Sequence, residues 1–282
     1  TVPPTAPPEL DPAVRAAFVE VAERRFGLRP TEQQADQLAA LASALAARVG
    51  ATDPLALARS LAAGHHPELL DEIAATLTIH ETHFFRVGPQ IEALRRTILP
   101  DLLRARAATR RLRLWSAGCS TGEEPYTLAM VLASHFPAAD GWSVEILASD
   151  LSTRVLAAAR DGVWPVERSN DIPEPLRKAY MLRGVRSEEG RMRAHSSLQS
   201  MITFRRINLN DDDYGINTRF DLLFCRNVLI YFNRESKERV INRLVRHLSG
   251  SGLLFLGHSE SLAATSFGME HAGPTVYRRT GS

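Results

Sequence analysis

The sequence predicts an α/β protein built on a doubly wound, mostly parallel sheet. An all-helical N-terminal domain precedes that sheet, and a small inserted antiparallel β-subdomain interrupts it. Three observations predict this. Before about residue 77, apolar residues recur at helical spacing between breakers; after about residue 110, strand-like and helical runs alternate; between Val163 and Met201 the alternation lapses into a stretch bounded by proline and glycine.

Residues 1–10 are proline-rich and are expected to form a disordered tail. Residues 11–77 form the expected helical domain, with four helices. PAVRAAFVEVAERRF ends near Gly27, TEQQADQLAALASALAARVG opens on a threonine cap and stops at Gly50, DPLALARSLAAG stops at Gly64, and PELLDEIAATL carries Pro67 in its first turn. Residues 78–108 read as a linker and connecting helix, and 109–282 as the α/β domain. There RLRLWSAG is a first strand and EEPYTLAMVLASHF its helix; WSVEILASD is a second strand ending in Asp150, followed by LSTRVLAAARDG. ITFRRINLN and FDLLFCRN supply third and fourth strands, RESKERVINRLVRHL a long helix, and GLLFLGHSE with PTVYRRT the late strands. The insertion spans about 164–202, with YMLRG and GRMRAH as two strands of an antiparallel ribbon around the Gly184–Gly190 loop.

Composition narrows the function classes. The 282 residues include 34 basic and 32 acidic ones, a net charge of +2, which argues against a dedicated nucleic-acid surface. The two cysteines, Cys119 and Cys225, suggest neither a disulfide framework nor a zinc site and fit a reducing compartment. The first residues lack the basic start and apolar core of a signal peptide, and no run approaches the roughly 18 apolar residues of a membrane span. The expected location is cytoplasmic.

The most informative stretch is Leu112–Ala129, LRLWSAGCSTGEEPYTLA. A strand, a small-residue turn and a helix in that order form the nucleotide-edge pocket of open α/β sheets, where unpaired helix N–H groups face the crevice. Glu123-Glu124 stand where a phosphate cradle has glycine and lysine. Carboxylates repel a pyrophosphate but suit hydroxyls, an ammonium or a sulfonium, which points towards S-adenosylmethionine. Ser120 and Thr121 with Glu123 and Glu124 three residues on also read as a capping box. Asp150, at the end of the second strand, suits the ribose hydroxyls of a bound nucleoside, or caps the next helix. Arg226 and Asn227 follow the fourth strand at its ligand-facing end. Tyr231 sits just beyond, either over the pocket or anchored in the core, with Val228, Leu229, Ile230 and Phe232 as packing residues.

In Thr78–Arg86, TIHETHFFR, the phenylalanines are expected to be buried. Arg86 is either a surface cation or a bidentate holder of a carboxylate. His80, Glu81 and His83 lack the spacing of a zinc motif, so no metal is expected. No nucleophile elbow and no phosphate-loop lysine are present, which excludes the common hydrolase and kinase classes. The prolines of base-methylating enzymes are missing after the fourth strand. A cofactor-sensing module without catalysis is the competing reading from another class.

Five segments together are specific: TIHETHFFR (78–86), WSAGCSTGEEPY (115–126), ASD (148–150), FCRNVLIYF (224–232) and GHSE (257–260). In order and spacing they resemble the chemotaxis protein methyltransferase family, the CheR type that methylates chemoreceptor glutamates. The resemblance implies a class I methyltransferase-like sheet. It carries S-adenosylmethionine contacts onto His80, Thr82, Arg86, Ala117, Gly118, Glu124, Asp150, Asn208, Leu209, Arg226 and Asn227. It places Arg86 and Tyr231 near the methyl-transfer centre. It implies S-adenosylhomocysteine as product and the cytoplasmic helical domain of a chemoreceptor as partner, with a monomeric enzyme that binds no nucleic acid and does not insert into the membrane. The chain departs from the family at His80, where an asparagine is common. It departs again at its second helix, which carries Glu32 and Asp36 against Arg48 where relatives are often basic.

Overall fold

The computed structural model describes residues 10–51, 53–78, 80–136 and 140–280, so all of the expected N-terminal tail but Leu10 lies outside the described residues. The chain divides into two compact units. One comprises the residues up to Thr78 with Tyr231–Lys237, and the other Ile79–Ile230 with Glu238–Ser282.

The first unit is helical because its caps are written locally. Helix α1 (Pro12–Phe26) starts at Asp11, whose side chain accepts from the Ala13 N–H at 2.8 Å, and ends at Gly27 with φ 68°. Helix α2 (Glu32–Arg48) opens with a reciprocal capping box between Thr31 and Gln34. Asp53 caps α3 (Pro54–Ala62), and α4 (Pro67–Leu77) carries proline in its first turn. Phe18, Leu38, Leu45, Leu57, Leu61 and Ile73 form its core. Residues 231–237 join this unit through a bridge between Leu28 and Phe232, and the Tyr231 carbonyl accepts from the Arg29 N–H at 2.8 Å.

The second unit begins with one continuous helical stretch. Helix α5 (Gly88–Ala93) passes through a π-helical segment, Leu94–Ile98, into α6 (Leu99–Ala105). Strand β1 (Arg111–Ala117) then leads into helix α7 (Glu123–His135), and β2 (Ser143–Asp150) into α8 (Thr153–Asp161). The insertion holds β3 (Val163–Pro165), α9 (Glu174–Tyr180), β4 (Met181–Arg183) and β5 (Arg191–Ala194), followed by the single turn α10 (Ser196–Gln199). Strand β6 (Ile202–Arg206), β7 (Phe220–Cys225), helix α11 (Arg234–Arg246) and β8 (Leu248–Leu256) complete the α/β pattern, and β9 (Met269–Gly273) with β10 (Val276–Arg279) end the chain.

The large sheet runs β6-β2-β1-β7-β8-β10-β9. The first five strands are parallel, and β10 is antiparallel to both β8 and β9. All six residues of β7 are buried, as expected of a central parallel strand covered on both faces. The chain winds outward from β1 through β2 to β6 and then returns to β7 on the other side. This reversal opens a crevice at the carboxyl ends of β1 and β7, the usual ligand position in such sheets.

Two features differ from the sequence expectation. The C-terminal hairpin contains β9, which sequence patterning did not predict: three of its five residues are exposed, so it lacks an apolar alternation. The inserted sheet has three strands, ordered β3-β5-β4, because Val163–Pro165 pairs with β5 outside the expected ribbon. Trp164 of β3 is buried between Phe84 and Tyr126, at ring-centroid distances of 5.1 and 5.0 Å, and its indole N–H donates to the Thr121 carbonyl at 3.1 Å. The insertion therefore packs into the core beside the β1–α7 turn. No helix among the described residues is long and apolar enough to cross a membrane.

Candidate functional site

The β1–α7 turn is bound to the end of β2 by its own backbone. The N–H groups of Gly118 and Cys119 both donate to the Ser149 carbonyl, at 2.7 and 2.9 Å. Gly118 has φ 85°, and a Cβ there would stand 2.3 Å from Cγ2 of Val228. Glycine is required because the loop after β7 closes on the turn. The capping box expected at this helix does not form. Gly122, with φ 99°, is the N-cap of α7 and makes no side-chain cap hydrogen bond. The Glu123 carboxylate is instead engaged by Thr121 Oγ1 at 2.6 Å and Arg168 Nη1 at 3.0 Å. Burial pushes its pKa up, against the opposing pull of these two partners.

Glu124 and Arg226 lie at the centre of the site. Glu124 Oε1 accepts from Ser116 Oγ and Oε2 from Arg226 Nε, both at 2.7 Å. Arg226 Nη1 donates onward to the Arg86 carbonyl at 2.7 Å and to Gln90 Oε1 at 3.2 Å, while Gln90 Nε2 donates to the Leu256 carbonyl at 2.8 Å. One guanidinium, 2% exposed, thus ties β1, α7, the residue-86 segment, α5 and β8 together at one edge of the sheet. The residue-86 segment is itself unusual, with positive φ at Phe85 and Val87. Phe84 is fully buried and Phe85 half-buried. The Arg86 side chain donates to the Glu81 carbonyl at 2.9 Å, and the Thr82 carbonyl accepts from Arg168.

Asp150 closes the other side of the turn. Its Oδ2 accepts from the Ser120 N–H at 2.9 Å and its Oδ1 from the Ser152 N–H at 3.0 Å. It therefore anchors the turn while Ser152 serves as the N-cap of α8. Burial raises the Asp150 pKa, which these N–H groups and nearby His80 oppose. Burial lowers the His80 pKa, with the Asp150 charge acting the other way. Beyond β6, Asn208 accepts from the Asn210 N–H and donates to Asp211, and the Leu209 carbonyl accepts from the Tyr214 hydroxyl at 2.8 Å. After β7, Asn227 takes φ 59°.

The sheet brings Ala117, Gly118, Glu124, Asp150, Asn208, Leu209, Arg226 and Asn227 to the carboxyl ends of its parallel strands, with His80, Thr82 and Arg86 on the segment bound to them. Tyr231 falls in the first unit. Ile230, expected to pack, is 49% exposed, whereas Leu229 is buried. Three residues that sequence reasoning missed support the site: Gln90, Arg168 and Glu260. Only Glu260 lay within a quoted motif, GHSE, and its signal was a carboxylate three residues after a glycine at a strand end.

A nucleoside-bearing ligand fits these residues on one observation. The buried hydroxyl oxygens of Ser120 and Ser152, on either side of the Asp150 carboxylate, have no hydrogen-bond partner, and neither has the buried Oδ1 of Asn227. Hydroxyl-bearing and amine-bearing ligands satisfy such atoms. No group of three or more His, Cys, Asp or Glu able to hold a metal occurs among the described residues.

Over 202 residues the chain is 42% identical to "Chemotaxis protein methyltransferase 2" of Pseudomonas aeruginosa, covering 71% of this chain and 70% of that one. It is 38% identical over 203 residues to the "Chemotaxis protein methyltransferase" of Escherichia coli (72% and 68% covered) and 34% over 215 residues to that of Borreliella burgdorferi (75% and 73% covered). Among solved structures, it aligns with the amino pentose methyltransferase CalS10 of Micromonospora echinaspora at a TM-score of 0.32 and 19% identity, over 66% of this chain and 61% of that one. Against PKMT2 of Rickettsia typhi in complex with AdoHcy the values are 0.33 and 14%, over 52% of this chain and 21% of that one. Residues 80–277 match the family described as "CheR methyltransferase, SAM binding domain". The chain belongs to the CheR methyltransferase family, and the crevice at the ends of β1, β2 and β7 lies within its S-adenosylmethionine-binding domain.

Proposed function

We propose that the protein transfers a methyl group from S-adenosylmethionine to the side-chain carboxylate of specific glutamates on the cytoplasmic helical domain of a chemoreceptor. The resulting methyl esters serve chemosensory adaptation. In this reading the protein acts in the cytoplasm as a monomer. The names of its relatives support the acceptor class. The observation that carries the reading is the double engagement of Arg226, which bonds Glu124 of the turn and the carbonyl of Arg86, so that a cationic side chain is based at the crevice.

Bound S-adenosylmethionine supplies a methyl group on a positively charged sulfur. The chain's residues then have two tasks. Asp150, with the Ser120 and Ser152 hydroxyls beside it, binds the ribose hydroxyls. Asn227, Gly118, Ala117, Glu124, Asn208 and Leu209 shape the rest of the cofactor site, with His80 and Thr82 covering it, and Arg226 holds Glu124 and the residue-86 segment in place. An acceptor glutamate has an ordinary pKa of about 4.3 and is ionised at neutral pH, so no general base is needed. Arg86 orients that carboxylate, and the rate arises from positioning and exclusion of water. A groove of about 530 Å³ on the inserted sheet, with Leu182 and Val185 exposed beside Arg183 and Arg193, offers a second contact for an acidic receptor segment.

The test is transfer of tritiated methyl from S-adenosylmethionine to purified receptor cytoplasmic domains. Base-labile label that disappears when the acceptor glutamates are replaced by alanine is expected, and R86A should lose most of it. Label that survives those replacements, or none with any receptor domain, overturns the reading.

A further inference from the structure

Glu260 is fully buried, and its carboxylate serves three backbone N–H groups. Oε2 accepts from Gly257 at 2.7 Å and Asn227 at 2.8 Å, and Oε1 from Ile230 at 3.2 Å. Hydrogen bonds to an ionised acceptor are stronger than neutral ones, and a carboxylate can accept about four. Two donors belong to the turn after β7 and the third to the turn after β8. One side chain therefore ties together the ligand-facing ends of two adjacent parallel strands.

The surroundings of this carboxylate are built for close approach. A Cβ on Gly257 would stand 2.5 Å from Glu260 Oε2 and 2.8 Å from the Asn227 nitrogen, so only glycine lets both turns converge on one oxygen. Asn227 is held in the left-handed region, which asparagine visits more readily than most residues but which still costs free energy. Its Oδ1 is buried without a hydrogen-bond partner. A buried unpaired amide oxygen in a strained backbone persists only where something else fixes the conformation.

We propose that Glu260 is a positioning residue for methyl transfer. It holds the Asn227–Ile230 turn so that the Asn227 amide faces the cofactor, and it touches neither donor nor acceptor. The inference rests on the assignment of S-adenosylmethionine to this crevice. E260Q tests it conservatively, because an amide offers one acceptor oxygen where the carboxylate offers two and sets an N–H against a backbone N–H on the other side.

In the full chain, S-adenosylhomocysteine affinity by titration calorimetry is expected to fall about tenfold in E260Q, the scale of one lost charge-assisted bond. KM for S-adenosylmethionine should rise to match, while kcat changes less. N227A should show a similar loss, and E260Q added to N227A should cost little more, because Glu260 acts through Asn227. An E260Q protein that melts earlier but keeps its affinity and KM overturns the inference, as do losses that multiply in the double variant. A wild-type chain that binds no S-adenosylhomocysteine overturns the cofactor assignment and this inference together, whereas a wild type that binds and an E260Q that binds equally well overturn the inference alone.

Discussion

Replacing Arg226 by alanine tests the network at the crevice. The Arg226 side chain is 2% exposed and that of Glu124 11%, so neither charge is well solvated. In R226A the Glu124 carboxylate keeps only the Ser116 hydroxyl, and the Arg86 carbonyl and Gln90 Oε1 lose a donor. Removing one partner of a buried pair costs about 3–5 kcal/mol, because the other charge stays buried without compensation. The lost carbonyl contacts belong to the same event and do not add in full, so about 4 kcal/mol is the working figure. For a domain of this size each kcal/mol lowers Tm by about 2–4 °C, which gives a fall of roughly 8–16 °C. Thermal unfolding followed by circular dichroism at neutral pH measures it. Adding E124Q to R226A removes the stranded charge and should restore part of the loss. A Tm within about 2 °C of wild type for R226A, or no recovery with E124Q, refutes the reasoning.

Three further outcomes follow from the same geometry. G118A should cost about 2–5 kcal/mol, from about 1–2 for an alanine at positive φ and about 1–3 for overpacking against Val228; V228A should relieve only the packing part, and a neutral G118A would contradict the clash. Asp150 has a folded pKa above its ordinary 3.8, so its contribution to stability is present below that value and is lost as pH rises through the raised pKa. Wild type should therefore lose stability relative to D150N across that acid window, and denaturant titrations showing a constant difference would contradict it. R168A removes a partner of the buried Glu123 carboxylate, which keeps the Thr121 hydroxyl, and of the Thr82 carbonyl, so it should cost about 1–3 kcal/mol. It should also speed hydrogen exchange at residues 80–87, and unchanged exchange there would show that Arg168 does not restrain the segment.

Much of the architecture was legible because its signals are local. Asp11, Thr31 with Gln34, and Gly27 mark helix ends through contacts only a few residues long. The apolar run FDLLFC announced a strand, and the structure places it centrally, where parallel strands are buried on both faces. Strand β9 carried no such signal, since an exposed edge strand is held by its ladder rather than by apolar side chains. The acidic start of α7 read as a cap, yet Glu123 is engaged by Arg168, 45 residues away, and the N-cap is a glycine in a left-handed conformation.

The sequence by itself determined which groups reach the crevice. An acid ends β2, small residues follow β1, and polar residues follow β7, because strand ends and turns are set by neighbours along the chain. Only the tertiary structure decided what those groups bond. Glu124 meets Arg226 across 102 residues, Asp150 receives the Ser120 N–H across 30, and Glu260 gathers N–H groups from two turns. These partners become available only when separate strands pack side by side, and spacing along the chain carries no record of that approach.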